Sequence, residues 1–253
     1  MVGRRFAWVC GVTLALGMGA TSAAHAQVRS QELRASEDPG EFYSAAMQKG
    51  DTYVLIGEQS LEDQKASVAV SGDGGATWEV HKTMATGRLV SGYMFDEKNG
   101  LVVGEAGTAL TTDDGGASWE IRTTKVLTDL QGAFLLTPDK GWAVGANSTI
   151  VTTSNGGRSW QVLQGGQPSG EVGEGEIMLM GVHFFDEKNG LVAGAGTEGA
   201  ILKTKDGGKT LETVYQNEDN FVDLVFSDPA NGWAVGKYGL IVGTTDGGVT
   251  WEM

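Results

Sequence analysis

Ser71-Gly-Asp-Gly-Gly-Ala-Thr-Trp78 is the stretch from which the rest of the chain can be read, because four near copies follow it, at 112–119, 153–160, 204–211 and 244–251. The shared pattern is hydroxyl, any residue, Asp, Gly, Gly, any residue, hydroxyl, Trp. It departs only at Asn155, which replaces Asp, and Leu211, which replaces Trp. The steps from Trp78 to Trp119, Trp160, Leu211 and Trp251 are 41, 41, 51 and 40 residues. A period near 41 lies in the range of four-stranded propeller blades.

Working outward from each copy, the same anatomy recurs. A first apolar segment covers 42–49, 89–96, 130–137, 179–186 and 221–228, and a polar turn follows it, such as Asp96-Glu-Lys-Asn-Gly100. A second covers 53–57, 101–104, 142–145, 191–194 and 233–236. A third runs into the Asp-Gly-Gly turn, as at 109–112 and 149–153, and a fourth starts at each Trp, as at 119–122 and 160–163. These runs are short, β-branched and bounded by Gly, Asn and Asp, and no apolar spacing of three and four persists as a helix would require. The expected fold is all-β, a β-propeller of five four-stranded blades with the Asp-Gly-Gly turn between strands three and four. The repeats are 42–82, 83–123, 124–163, 164–215 and 216–253. Runs such as Val182-His183-Phe184-Phe185 are apolar at nearly every position, which is expected where a blade is covered on both faces by its neighbours.

The first 26 residues read as a secretory signal: Arg4 and Arg5, an apolar run from Phe6 to Ala20, then Ala24-His25-Ala26 as a small-x-small cleavage site. The apolar run is shorter than the roughly 20 residues of a membrane span. The expectation is an exported protein, periplasmic or secreted, with no membrane insertion after cleavage. Cys10 is the only cysteine and leaves with the signal, so disulfides, thiolate chemistry and Cys-ligated metals are excluded from residues 27–253. Removing Arg4 and Arg5 reduces the 18 basic residues to 16 against 32 acidic ones, a net charge of −16. Such a surface repels nucleic acid and anionic bilayers and favours basic protein partners.

The Asp-Gly-Gly carboxylates could be read as catalytic or calcium-binding. Asp73, Asp114, Asp206 and Asp246 recur one per blade, too far apart to share a reaction, and no loop alternates oxygen ligands as a calcium hand does. They read instead as turn devices, with Asn155 in the same role, while Trp78, Trp119, Trp160 and Trp251 supply buried faces. His183 takes the slot of Tyr93, Phe134 and, allowing for a longer turn before Gly232, Leu224, which reads as packing between blades. His81 ends a fourth strand and reads as solvated. Neither a cofactor nor a metal is expected.

With strand one along the channel, the four-to-one and two-to-three loops share the face opposite the Asp-Gly-Gly turns. They carry Glu58, Glu62, Asp63, Glu171, Glu174, Glu176, Glu218 and Asp219, an acidic surface suited to docking a basic partner on a rigid scaffold.

The hydroxyl-x-Asp-x-Gly-x-hydroxyl-Trp pattern resembles the Asp-box of the BNR propellers of sialidases and their relatives. The fuller unit, Phe226-Ser-Asp-Pro-Ala-Asn-Gly-Trp-Ala-Val-Gly236 leading to Thr244–Trp251, resembles the photosystem II stability/assembly factor family, over essentially all of 42–253. That resemblance implies a non-enzymatic scaffold that binds a protein partner and aids assembly or function of a membrane complex. For relatives in bacteria that do not photosynthesise it suggests a role beside envelope transporters of the resistance-nodulation-division type. The family's best-known members carry more blades and an arginine-rich patch, which this chain does not supply. The alternative is a glycan-binding or sialidase-like hydrolase propeller, which would need an arginine cluster and a tyrosine nucleophile with an acidic partner.

The fifth repeat has little room for an outer strand after Trp251, so Val28 to Leu33, within a closing segment at 27–41, is expected to complete it. Deleting residues 27–35 is then expected to lower the melting temperature markedly, and an unchanged melting curve would refute the closing role.

Overall fold

The computed structural model describes residues 43–59, 65–166 and 177–253. The signal at 1–26 and the closing strand expected at 28–33 lie outside them. Blade 1 is β1 (Tyr43–Lys49), β2 (Thr52–Gln59), β3 (Ala66–Ser71) and β4 (Glu79–Lys82). Blade 2 is β5 (Leu89–Met94), β6 (Gly100–Gly104), β7 (Thr108–Thr112) and β8 (Glu120–Thr123). Blade 3 is β9 (Leu130–Leu135), β10 (Gly141–Gly145), β11 (Thr149–Thr153) and β12 (Gln161–Gln164). Blade 4 is β13 (Met178–Phe184), β14 (Gly190–Ala195), β15 (Gly199–Thr204) and β16 (Glu212–Asn217). Blade 5 is β17 (Phe221–Phe226), β18 (Gly232–Gly236) and β19 (Ile241–Thr244).

Within each blade consecutive strands pair antiparallel in chain order, as a meander. Among the described residues the fifth has three strands, and the fourth place holds only an isolated bridge from Glu252 to Gly243, while the segment expected to fill that place lies outside the described residues. The middle strands are the core, with β6, β10 and β11 buried at every position. The fourth strands β4, β8 and β12 are polar and largely exposed, which suits an outer edge. The first strands converge: β1 packs on β5, β5 on β9, β9 on β13 and β13 on β17.

Two faces of each blade make the core between them. Leu101, Val103 and Ala109 face forward from blade 2 onto Leu130, Leu135, Ala143 and Val151 of blade 3. Phe134, Trp142, Val144 and Ile150 face forward from blade 3 onto Leu179, Phe184, Val192 and Ala200 of blade 4. Trp142 anchors the second interface. Its ring stacks on Phe184 with centroids 3.7 Å apart and planes 5° from parallel. Its Nε1–H donates to the Gly207 carbonyl at 2.9 Å, and the Lys140 ammonium sits 4.7 Å from the ring centroid.

The same packing explains the second glycine of the repeated turn. Gly157 has φ +79°, and a Cβ there would lie 2.6 Å from Thr111 Cγ2 of the preceding blade. Both the left-handed backbone and the close approach demand glycine.

Trp142→Ala removes a wholly buried indole together with its inter-blade hydrogen bond. Its expected cost is about 3–5 kcal/mol in unfolding free energy, measured by denaturant titration. A loss below about 1 kcal/mol would show that the blade 3–blade 4 interface does not depend on it.

Candidate functional site: the loop face and the channel

On one side of the propeller the leading hydroxyl, the carboxylate or amide and the glycine N–H groups of each repeated turn are already committed, whereas the buried indole Nε1 atoms of Trp119, Trp160 and Trp251 have no hydrogen-bond partner among the described residues. The leading hydroxyl of each copy, on Ser71, Thr112, Thr153, Thr204 or Thr244, donates to the side chain two residues on. It also accepts the N–H of the second glycine, at 2.8 to 3.0 Å. The Asp or Asn Oδ1 accepts the N–H four residues on, at 2.9 Å in all five copies. In the four Asp copies Oδ2 accepts the hydroxyl of that same residue at 2.6 to 2.7 Å. Asn155 keeps the network by reversing one bond, its Nδ2 donating to Ser159 Oγ at 2.8 Å. The first glycine then ties the turn to the one-to-two loop of its own blade, as Gly115 N–H does to the Lys98 carbonyl and Gly207 N–H to that of Lys188, both at 2.9 Å.

These bonds favour the ionised carboxylate. The Thr77 N–H and hydroxyl hold Asp73 down at about 2, and the Thr210 hydroxyl and N–H hold Asp206 at about 2. Thr250 holds Asp246 lower still. Burial alone would raise Asp114, but hydrogen bonds from Ser118 and Thr112 outweigh it and leave its carboxyl low. Each carboxylate serves its own turn, and among the described residues no three His, Cys, Asp or Glu side chains are grouped to hold a metal. Of the tryptophans that close the turns, Trp160 and Trp251 are buried, while Trp78 and Trp119 are half-buried.

The opposite face is built from the two-to-three and four-to-one loops, which brace one another. Ala106 N–H of blade 2 donates to Asp129 Oδ1 of blade 3 at 2.9 Å, and Gly196 N–H of blade 4 donates to Asn220 Oδ1 at the start of blade 5 at 3.3 Å. Ser148 and Ile177 exchange backbone and side-chain bonds between blades 3 and 4. Arg88 pairs with Glu105 at 3.4 Å. Of the acidic residues expected here, Glu218 is exposed and Asp219 half-buried. Glu62, Asp63, Glu171, Glu174 and Glu176 lie outside the described residues, as does the side chain of Glu58.

This face also carries three large apolar side chains that sequence reasoning passed over. Met84 and Leu127, in four-to-one loops, are 67% and 68% exposed, and Tyr238, at a two-to-three tip, is 92% exposed. Tyr238 has φ +56°, a backbone region uncommon for a bulky residue. The signal was available, because an apolar residue in a loop between two strand signals has no core to enter.

The first strands enclose a channel cavity of about 180 Å³. An aromatic row crosses it from Tyr93 to Phe134, His183 and Phe226, with successive centroids 4.7 to 4.9 Å apart. Burial holds the His183 imidazole down at about 4, raises the Tyr93 hydroxyl, and raises the Asp223 carboxyl, which faces the cavity but is surrounded by protein. Asp223 is the one carboxylate among the residues lining this cavity. The register corrects one assignment. His183 pairs with Leu191 as Phe134 does with Trp142 and Val225 with Trp233, so the equivalent of His183 in blade 5 is Val225 and not Leu224. The turn before Gly232 is no longer than its counterparts. His81 is likewise less solvated than expected, with Nε2 shielded from water and 3.7 Å from the Glu79 carboxylate.

The family model described as photosynthesis system II assembly factor YCF48 matches residues 84–164 and 120–217. The chain belongs to that family. No curated protein sequence matches it. Solved structures similar to this family member include YCF48 bound to a D1 peptide, with a TM-score of 0.58 at 17% identity over 84% of this chain and 66% of that one. YCF48 from Cyanidioschyzon merolae gives 0.57 at 17% identity over 84% and 69%. A GH74 enzyme from Niastella koreensis gives 0.61 at 14% identity over 83% of this chain and 38% of that one. At these identities the likeness is one of fold. The chain spans about two thirds of the length of the YCF48 structures.

Two acid transitions are expected from the shifted groups. The His183 imidazole is depressed from 6.5 to about 4 on folding, so the unfolded chain binds the extra proton and stability falls as pH drops from 6.5 towards 4. Asp73 and Asp206 are depressed from 3.8 to about 2, so their contribution is complete above 3.8 and is lost as pH falls towards 2. Melting temperature against pH should show both windows. His183→Phe should flatten the upper one and leave the lower, and persistence of the upper window in that variant would locate it elsewhere.

Proposed function

We propose that this protein is a non-enzymatic, exported propeller that binds a protein partner through the loop face and so assists a membrane complex of the cell envelope. The carrying observation is the composition and bracing of that face. Met84, Leu127 and Tyr238 stand exposed on a face whose loops brace one another by hydrogen bonds, and exposed apolar groups on a rigid support mark interaction sites. The opposite face has its turn carboxylates and hydroxyls consumed internally. Family membership and the solved YCF48–D1 peptide complex support peptide or protein binding as the mode. The signal sequence supports a periplasmic location, and an accessory role beside a resistance-nodulation-division transporter is the form the reading takes in a non-photosynthetic cell.

The GH74 likeness raises polysaccharide cleavage as a second reading. Glycoside hydrolysis commonly uses two carboxylates about 5–9.5 Å apart, and the channel cavity is lined by one. Its volume of about 180 Å³ is also below the roughly 300–1,000 Å³ of typical ligand pockets.

The test is cross-linking in native envelope, followed by identification of captured proteins. Met84→Glu with Leu127→Glu, and separately charge reversal of Glu171, Glu174 and Glu176, are expected to remove proteins that the wild type captures. Lys209→Glu, exposed on the opposite side, is expected to retain them. An unchanged set in all three variants, or robust sugar binding in a glycan screen, would overturn the reading.

A further inference from the structure

We propose that the cleft between blades 2 and 3, on the side of the repeated turns, receives a guanidinium group, as an arginine side chain of a partner polypeptide presents it. The cleft lies opposite the loop face and does not rest on the function proposed above. The observation is a pair of neighbouring interfaces, one with its inter-blade hydrogen bonds made and one with the equivalent acceptors open. Between blades 3 and 4, Trp142 Nε1–H donates to the Gly207 carbonyl at 2.9 Å. Beside it, Gln164 Nε2 donates to the carbonyls of Gly208 and Lys209 at 2.9 and 3.1 Å. Three successive carbonyls of the blade 4 turn are thus met by planar N–H groups of blade 3.

Between blades 2 and 3 the acceptors recur without the donors. Gly156, Gly157 and Arg158 stand in the blade 3 turn where Gly207, Gly208 and Lys209 stand in the blade 4 turn. Among the described residues their carbonyls accept no hydrogen bond. In the strand registers Leu101 takes the place of Trp142 and has no donor. Arg122 takes the place of Gln164, but its guanidinium turns back onto its own blade, Nε donating to Thr111 Oγ1 at 2.8 Å and Nη2 to Glu120. Leu135 likewise replaces Phe184, on which Trp142 stacks. These exchanges accompany a cleft of about 150 Å³, with Leu101, Leu135, Arg122 and the three turn residues in its walls.

The chemistry of the walls selects the occupant. Open carbonyls call for N–H donors and cannot serve an acceptor. Asp113, Glu120 and Asp139 also line the cleft, against Arg122 and Arg158, so acids exceed bases by one and a cation is favoured. Arg122 and Glu120 already neutralise one another. A guanidinium presents five N–H donors in one plane, enough to bridge adjacent carbonyls and a carboxylate, whereas an ammonium is a compact point charge. The cleft is smaller than the roughly 300–1,000 Å³ of pockets that enclose a whole ligand. It therefore suits one group projecting from a larger molecule.

The test is calorimetric titration of the protein at low ionic strength with a capped Ala-Arg-Ala peptide and, separately, with agmatine, a free alkyl guanidinium. The peptide is expected to bind saturably, and Asp139→Asn to weaken it by about tenfold. Glu252→Gln, the same change of charge on an exposed residue of blade 5, is expected to leave it unchanged. Arg158→Gln removes a like charge and is expected to strengthen binding. Leu101→Trp supplies the ring and donor from within the chain, as blade 3 does, and is expected to abolish binding. Asp139 and Arg158 are exposed, so their variants decide the matter if Leu101→Trp fails to fold. Tighter binding of agmatine than of the peptide would overturn a polypeptide as the source of the group. Absence of saturable binding by either probe, or an Asp139→Asn variant that binds as the wild type does, would overturn the site itself.

Discussion

A blade of this protein cannot stand alone, because its middle strands are apolar on both faces. The requirement to cover both sides is what orders the molecule. β10 and β11 are buried at every position, and they become so only because blades 2 and 4 lie against them. Large forward-facing groups such as Trp142 and Ile150 meet small or aromatic backward-facing ones, and the glycines of the repeated turn let the two backbones approach. The hydrogen-bonded turns hold each blade in shape, but it is the area removed from water between blades that makes the assembly cohere.

That arrangement divides the molecule's labour between its two sides. Turn carboxylates, hydroxyls and glycine N–H groups on one side are saturated by their own blade, and the low carboxyl values of Asp73 and Asp206 are the electrostatic mark of that saturation. On the other side the loops brace one another through single side chains such as Asp129 and Asn220, while Met84, Leu127 and Tyr238 remain in solvent.

The elements legible in sequence were those whose determinants are contiguous. The network from Ser71 to Thr77 closes within seven residues, so its pattern is spelled out in five places and gives the blade period directly. Contacts between loops were not legible, since Ala106 and Asp129 are 23 residues apart and nothing local couples them. The position of Val225 was misjudged because alignment by apolar character favoured Leu224, whereas the pairing with Trp233 decides it. Tryptophan by itself was also a poor guide to burial. Trp142 and Trp233 share the sequence Gly-Trp-Ala-Val-Gly, and their exposure differs because blade 4 covers Trp142 while among the described residues no blade covers Trp233 in the same way.

The shared design of the inter-blade interfaces bears on how such proteins change length over evolutionary time. Duplication or loss of one repeat of about forty residues adds or removes a blade whose two faces already match those of its neighbours, so the core need not be redesigned. A lineage can therefore alter its number of blades by recombination within the gene while point substitutions in the loops proceed independently.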